Sequence, residues 1–390
     1  MALSKQLMPG AFETLLWHYQ HRSAEAVSQH QAGVPVVGFT SNTVPWELIR
    51  AAGCFPVLLA PALDTLKNPT PLADPLMEPV FESRIRNIFE SILYGSWHFL
   101  RLLVIPRTSE PEYKLYLYLR EVERQRLSRT VPPLCLYDLL HTRSPVSRKY
   151  GFDRTKDLIE RLRQIGPVHR KSLSKAVTES NRARAALRRL HRLRQGRAPR
   201  ISGTDALRIS GALYFMDRAT YAKLVDRVCR DIQSAEALRG PRLLIKGTPL
   251  HHPQLHQALE AHGAVVTAED DWWGARAAGA NILSARNLNA SVRTIFENYY
   301  LSSPSPRVFP AAAADLWFQK AVKHGIDGVV FYLPPEDDVY GWDYPRQRDF
   351  VRACGIPSLL IREDASQGLS VEMNGRVREF VEAACRGRDG

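Results

Sequence analysis

Three times the chain runs from a helical stretch through one glycine directly into a β-branched or apolar segment. The instances are LIRAAGCFPVLL (Leu48 to Leu59), ALEAHGAVVTAED (Ala258 to Asp270) and VRACGIPSLLI (Val351 to Ile361). Glycine takes the left-handed backbone conformation that closes a helix, so each instance reads as an αβ corner. Equally plain strands precede these helices: VPVVGFT (Val34 to Thr40), RLLIKG (Arg242 to Gly247) and DGVVFYL (Asp327 to Leu333). FLRLLVIP (Phe99 to Pro106) and PPLCLY (Pro132 to Tyr137) supply two further apolar runs. Strands alternating with helices imply right-handed crossovers and parallel sheets.

A chain of 390 residues exceeds what one hydrophobic core usually supports. The strand signals fall into two groups separated by a helical, strongly charged stretch. The expected fold class is therefore α/β, with two Rossmann-like doubly wound parallel-sheet domains joined by a helical segment. The expected divisions are an N-terminal helical segment over 1–30, a first α/β domain over 31–150, a helical connector over 151–240 and a second α/β domain over 241–390. Ligands of such sheets bind beyond the carboxyl ends of the strands, where loops and helix starts gather. That rule selects Thr40, Ser41, Asn42 and Glu47 in the first domain. In the second it selects Lys246 with its following loop, the acidic loop Pro334 to Asp338, and the cluster EDDWWGAR (Glu269 to Arg276), whose acids, tryptophans and arginine have the makeup of a site lining.

Composition narrows the function classes. With 45% hydrophobic and 24% charged residues, the chain is an ordinary globular one. No run approaches a bilayer-spanning length and the N-terminus lacks a signal-peptide pattern, so no membrane association and a cytoplasmic location are expected. The five cysteines show no CxxC or other metal-ligand spacing, and Cys54, Cys135 and Cys354 sit in or beside apolar segments as small buried hydrophobes. Much of the formal net charge of +13 comes from NRARAALRRLHRLRQGRAPR (Asn181 to Arg200), an amphipathic helix with a Leu187/Leu190/Leu193 stripe and a basic outer face. That face suits solvent, or the docking of an acidic protein or an acyl-CoA phosphate. No nucleic-acid-binding signature accompanies it, so no nucleic-acid partner is expected.

Familiar motifs are missing. GxGxxG, GxxxxGK[ST] and GxSxG do not follow any of the strands. His252, His256 and Glu260 recur at i+4 spacing, and exposed helix-start residues account for them better than a metal site does, so no metal ligands are assigned. Glu47, in the first turn of its helix, suits a dipole-complementing carboxylate as well as a functional one.

Taken in order, VGFTSNTVPWELIRAAGCFPVLL, VIPRTSE, ESNRARAALRRLHRL with RISGTDAL, GPRLLIKGTPL, VVTAEDDWWGAR, GIDGVVFYL and GIPSLLIRED resemble the 2-hydroxyacyl-CoA dehydratase and benzoyl-CoA reductase subunit family. The resemblance covers about Gly33 to Phe380. It implies paired related subunits with Rossmann-like domains and a 4Fe-4S cluster held by three cysteines beside an acyl-CoA thioester. An ATP-dependent activator would deliver the single electron that permits lyase-type elimination or ring reduction. The cluster positions correspond here to Ser83, Ser109 and Trp272. None is a cysteine, and neither a hydroxyl nor an indole replaces a thiolate. The expectation is that this chain holds no cofactor, and that the 4Fe-4S cluster resides in a cysteine-bearing partner subunit. The resemblance further suggests Ser41 and Glu47 for holding or protonating the acyl oxygen. Thr40, Asn42, Lys246, Asp270, Asp271 and Arg276 are expected around the acyl-CoA, Lys246 and Arg276 as phosphate-binding cations. Two other readings stay open: a non-catalytic CoA-ester-binding, regulatory or structural relative, and a different cluster-free acyl-CoA chemistry with Glu47, Asp270 or Asp271 as acid or base.

Overall fold

The apolar runs emerge as eight strands among the residues described by the computed structural model, namely 10–61, 63, 69–78, 81–107, 109–140, 142–302, 310–337 and 339–386. The first sheet contains β1 (Val36–Phe39), β2 (Phe55–Leu58), β3 (Leu102–Pro106) and β4 (Leu134–Tyr137) in the order β2-β1-β3-β4. The second contains β5 (Arg242–Gly247), β6 (Val265–Asp270), β7 (Gly328–Tyr332) and β8 (Ser358–Ile361) in the order β6-β5-β7-β8. Every neighbouring pair is parallel. Central strands such as β1, β3 and β7 are buried along their whole length, as their uninterrupted apolar sequence requires when helices cover both faces. In each sheet the chain winds one way from the central strand and then the other. The topological switch points lie between β1 and β3 and between β5 and β7.

The three αβ corners form as expected. Gly53 has φ 77°, and its counterparts Gly263 and Gly355 have φ 87° and 71°. A Cβ on Gly53 meets nothing within 4 Å, so its requirement is one of backbone conformation alone. Gly53→Ala is expected to destabilise the protein by about 1 kcal/mol, read from a shift in the denaturant midpoint at unchanged slope.

The connector is a shared wall rather than a spacer. Its central helix, Arg170–Arg194, packs against Trp46–Ala51 of the first sheet's layer and against β6 and the 3₁₀ turn Ala275–Ala278 of the second. The expected boundary at 150/151 falls inside the helix Pro145–Arg163, which packs on Leu288–Ser302 from the second half. Near the N-terminus, Ala11–Gln20 and Ala24–Gln31 are helical, and Ala11–Gln20 lies on the connector helices Gly203–Ala212 and Arg218–Ile232. Residues 1–9 of the expected N-terminal segment lie outside the described residues. Val37, Leu103, Leu187, Leu190, Leu243 and Val330 belong to one continuous apolar core that joins both sheets through the connector. A smaller cluster around Leu244, Phe318 and Phe331 fills the far face of the second sheet.

Candidate functional site

The carboxyl ends of the two sheets face each other across a narrow cleft. Ser109 and Glu112 enter from the β3 exit, Thr248 and Pro249 from the β5 exit, Trp272 from the β6 exit, and Glu336, Asp337 and Tyr340 from the β7 exit. Glu82 and Arg84, at the start of the helix Ser83–Leu93, close the remaining side. The cavity measures 50 Å³, room for one or two waters. A second cavity of 30 Å³ shares Glu82, Arg84, Thr248, Pro249 and Glu336 with it and is lined by Ser83, His251 and His252 as well. Ser109 and Trp272 thus share one cavity and Ser83 lines its neighbour. No cysteine lines either one.

Local sequence explains these positions. Ser109 is the N-cap of the helix Glu110–Arg124, its Oγ accepting from the Glu112 amide at 3.4 Å, with proline in the first turn. The Trp272 carbonyl accepts from Tyr214 Oη at 2.8 Å and Asn42 Nδ2 at 3.3 Å, so the loop after β1 grips the loop after β6. Arg84 is the cleft's cation. It reaches Glu82 at 3.3 Å, Glu112 at 3.6 Å and the Thr40 carbonyl at 3.1 Å, and its guanidinium lies 5.9 Å from the Trp272 ring. One arginine does not offset the acids around it. Burial pushes the Glu112 carboxyl up to about 7, with Glu82 adding to the rise and Arg84 opposing it. Desolvation raises Glu82 as well, Asp337 and Glu336 reinforcing the effect. At neutral pH this cleft therefore holds a buried carboxyl that carries its proton for much of the time. Sequence reasoning did not single out Glu82, Arg84, Glu112 or Tyr340, although Glu82 adjoins Ser83 and Glu112 follows Ser109 by three residues. Of the selected loop Pro334 to Asp338, Glu336 and Asp337 line the cleft and Asp338 lies outside the described residues.

Glu47 lies apart from the cleft in a sealed network. Its Oε1 accepts from Ser180 Oγ at 2.5 Å and Arg184 Nη2 at 2.7 Å, and its Oε2 from Tyr299 Oη at 2.8 Å. Arg218 approaches to 3.8 Å and lies over the Trp46 ring. Burial favours the neutral acid, but Arg184 and Arg218 prevail and hold the carboxyl at about 2. The carboxylate is fully buried, and its bonds tie the first α/β layer to the connector and to the helix Leu288–Ser302. Ser41 is also buried, its Oγ 2.9 Å from Thr43 Oγ1. Neither Ser41 nor Glu47 lines the cleft, and neither do Thr40 and Asn42, which act on it through Arg84 and Trp272.

The acids of EDDWWGAR have separate fates. Glu269 is buried against Arg194, which donates both terminal nitrogens, one at 2.9 Å, while His256 Nε2 lies 2.7 Å from the same carboxylate. Asp270 bridges Lys246 at 2.8 Å and Arg276 at 2.9 Å; burial opposes its ionisation and these two cations restore it. Asp271 accepts from the amides of Trp273 and Gly274 and from that of Leu250 at 3.4 Å, yet burial together with Glu269 pushes it up to about 7. Trp273 is a core residue beside Tyr214 and Phe215. Lys246 Nζ stands 5.3 Å from the Tyr340 ring, so Lys246, Asp270 and Arg276 form a chain from the cleft to a cavity of 710 Å³ on the far side of β6, which Arg276 lines.

Three expectations need correction. His252 and His256 are buried rather than exposed, because the β5 exit folds inward, and Glu260 accepts from the amides of Gly203 and Thr204 at the start of the helix Gly203–Ala212. Cys354 is exposed, sitting just past the helix Tyr344–Ala353, whereas Cys54 is buried and Cys135 partly so. The arginine-rich helix is not wholly outward-facing: Arg184 and Arg194 share its buried face with Leu187 and Leu190, paired to Glu47 and Glu269. Among the described residues there is no cluster of three or more metal-binding side chains, and no helix is long and apolar enough to cross a membrane.

The family described as "2-hydroxyglutaryl-CoA dehydratase, D-component" matches residues 42–383. The chain is also 23% identical over 402 residues to the protein named "Putative dehydratase subunit YjiM" of Escherichia coli (strain K12), covering 96% of this chain and 98% of that protein. Both descriptions denote parts of multi-subunit assemblies.

Proposed function

Since the chain belongs to the 2-hydroxyglutaryl-CoA dehydratase D-component family, we propose that it is a cluster-free component of an acyl-CoA dehydratase or reductase assembly. A related subunit bearing three cysteines supplies the iron–sulfur centre in this reading, and an ATP-dependent activator supplies the electron. The observation that carries it is the occupancy of the cleft. Ser109 and Trp272 line the cavity and Ser83 its neighbour, in company with Glu82, Glu112 and Arg84. This donor set of hydroxyls, carboxyls, a guanidinium and an indole does not fit a thiolate-ligated cluster. No step of the chemistry is therefore assigned to iron in this chain.

What this chain contributes is shape and proton placement. The cavity's carboxyls exclude a polyanion, so CoA phosphates belong elsewhere, and an uncharged acyl end enters only when the strand-end loops widen a space that has room for one or two waters. The protonated Glu112 is placed to donate a hydrogen bond to such an end. Glu47, with every close donor already engaged, acts as a positioning residue that fixes the connector. The closed cavity also suits a non-catalytic, regulatory relative that binds a CoA ester. The experiment that separates these readings is anaerobic co-expression with a related three-cysteine chain. A stable complex with iron in the partner supports the first reading, and the isolated chain is expected to be colourless. Stoichiometric iron and visible absorbance in the isolated chain would overturn the cluster-free assignment.

A further inference from the structure

We propose that the 710 Å³ cavity between the arginine-rich helix and the helix Ala311–Lys323 is a binding site for a phosphorylated nucleoside. It lies outside the cleft, across the edge strand β6, and its volume is in the range of small-molecule and cofactor sites. Its charge is one-sided. No carboxylate lines it, and although Arg242 and Arg276 are engaged by Asp327 and Asp270, Arg188, Arg192 and Lys320 have no carboxylate partner among the described residues. Arg188 donates only to neutral oxygens, those of Gly279 and Asn281. Burial lowers its affinity for its proton, and Arg184, Arg192 and Arg189 lower it further, a congestion of positive charge that a phosphate relieves.

A second feature points the same way. His191 is 4% exposed and lines the cavity, yet neither ring nitrogen has a hydrogen-bond partner. Burial and Arg194 keep it neutral, pushed down to about 3, so one nitrogen donates and the other accepts. Both nitrogens are sealed from solvent as the ring stands, so a rotation of the side chain brings them to a ligand, and they then suit the mixed donor and acceptor edge of a base or ribose better than a bare phosphate. The wall opposite is apolar, formed by Trp317, Ala275, Ala321 and Ile326, and offers a flat aromatic group a stacking surface. Cations at the rim, an indole wall and a neutral imidazole inside together fit a nucleoside bearing two or more phosphates. Either a free nucleotide or the nucleotide end of a CoA ester carries that chemistry.

Calorimetric titration of the full chain with ADP, CoA and inorganic pyrophosphate tests the site. Arg192 and Lys320 are exposed, so Arg192→Glu/Lys320→Glu is expected to fold, and circular dichroism with the thermal midpoint checks this. Should it not fold, Arg192→Gln/Lys320→Gln provides the same comparison. ADP binding weakened about tenfold per reversed charge supports the proposal. ADP and CoA competing for one site assigns it to the CoA nucleotide end, and ADP binding alone assigns it to a free nucleotide. Pyrophosphate binding as tightly as ADP, no binding of any probe at millimolar concentration, or binding indifferent to both double variants overturns it. Iron analysis of the assembly reads the cleft assignment separately.

Discussion

Arg194→Ala is expected to cost about 3–5 kcal/mol of stability, because it strands the Glu269 carboxylate in a site where both partners are fully buried. His256 alone then faces the charge; its Nε2 carries the proton it donates, and it makes no second bond to the carboxylate. Chemical denaturation measures the loss, and a drop below about 1 kcal/mol would show that the pair is not the anchor described above. The double variant Arg194→Met/Glu269→Met provides the internal control. It removes both charges at similar volume and is expected to recover most of the stability. Arg194 also donates to the Val266 carbonyl at 2.9 Å, so it fixes the edge strand as well as the acid.

Glu112→Gln should act in the opposite direction, and only above acid pH. The folded protein holds this carboxyl at about 7 against an ordinary value of 4.5. As pH rises from 4.5 to 7 the unfolded chain gives up its proton first, so the folded state binds more protons and stability declines through that window. Replacing the acid removes this decline. Near pH 4 the variant and the parent should be equally stable, and above pH 7 the variant should be more stable by up to about 3 kcal/mol. Denaturation curves at pH 4 and pH 8 decide it, and equal stabilities at pH 8 would contradict the placement of Glu112 in a desolvated cleft. Glu47 contributes with the reverse sign. Its depressed carboxyl stabilises the fold above pH 4.5, and that contribution is lost as pH falls towards 2.

The strands were legible because each combines a short apolar run with a glycine or loop at its boundary, and such signals are local. Their parallel sense followed from general topology, whereas the order within each sheet emerges only from the structure. The cleft was legible in part: the carboxyl-edge rule selected the right loops, and the resemblance to a family brought Ser83, Ser109 and Trp272 into view together. What eluded sequence reasoning were partnerships across long separations. Glu47 meets Arg184 and Tyr299, 137 and 252 residues away, and no local pattern announces either bond. Arg184 and Arg194 did leave a signal. They fall on the helical spacing of Leu187 and Leu190, and an arginine inside an apolar stripe calls for a buried acid. Of the cleft's acids, Glu336 and Asp337 lie in a loop that the same rule selects, while Glu82 and Glu112 sit at helix starts, where the helix dipole accounts for an acid equally well.

The connector's double allegiance has a practical consequence. With one apolar interior running through both sheets, neither half is a detachable module. A cut in the loop before β5 would leave the connector's leucines bare on one fragment and β6's buried face bare on the other. Any motion that admits a ligand to the cleft must therefore come from the loops at the strand ends, since the sheets cannot swing apart without opening the interior itself.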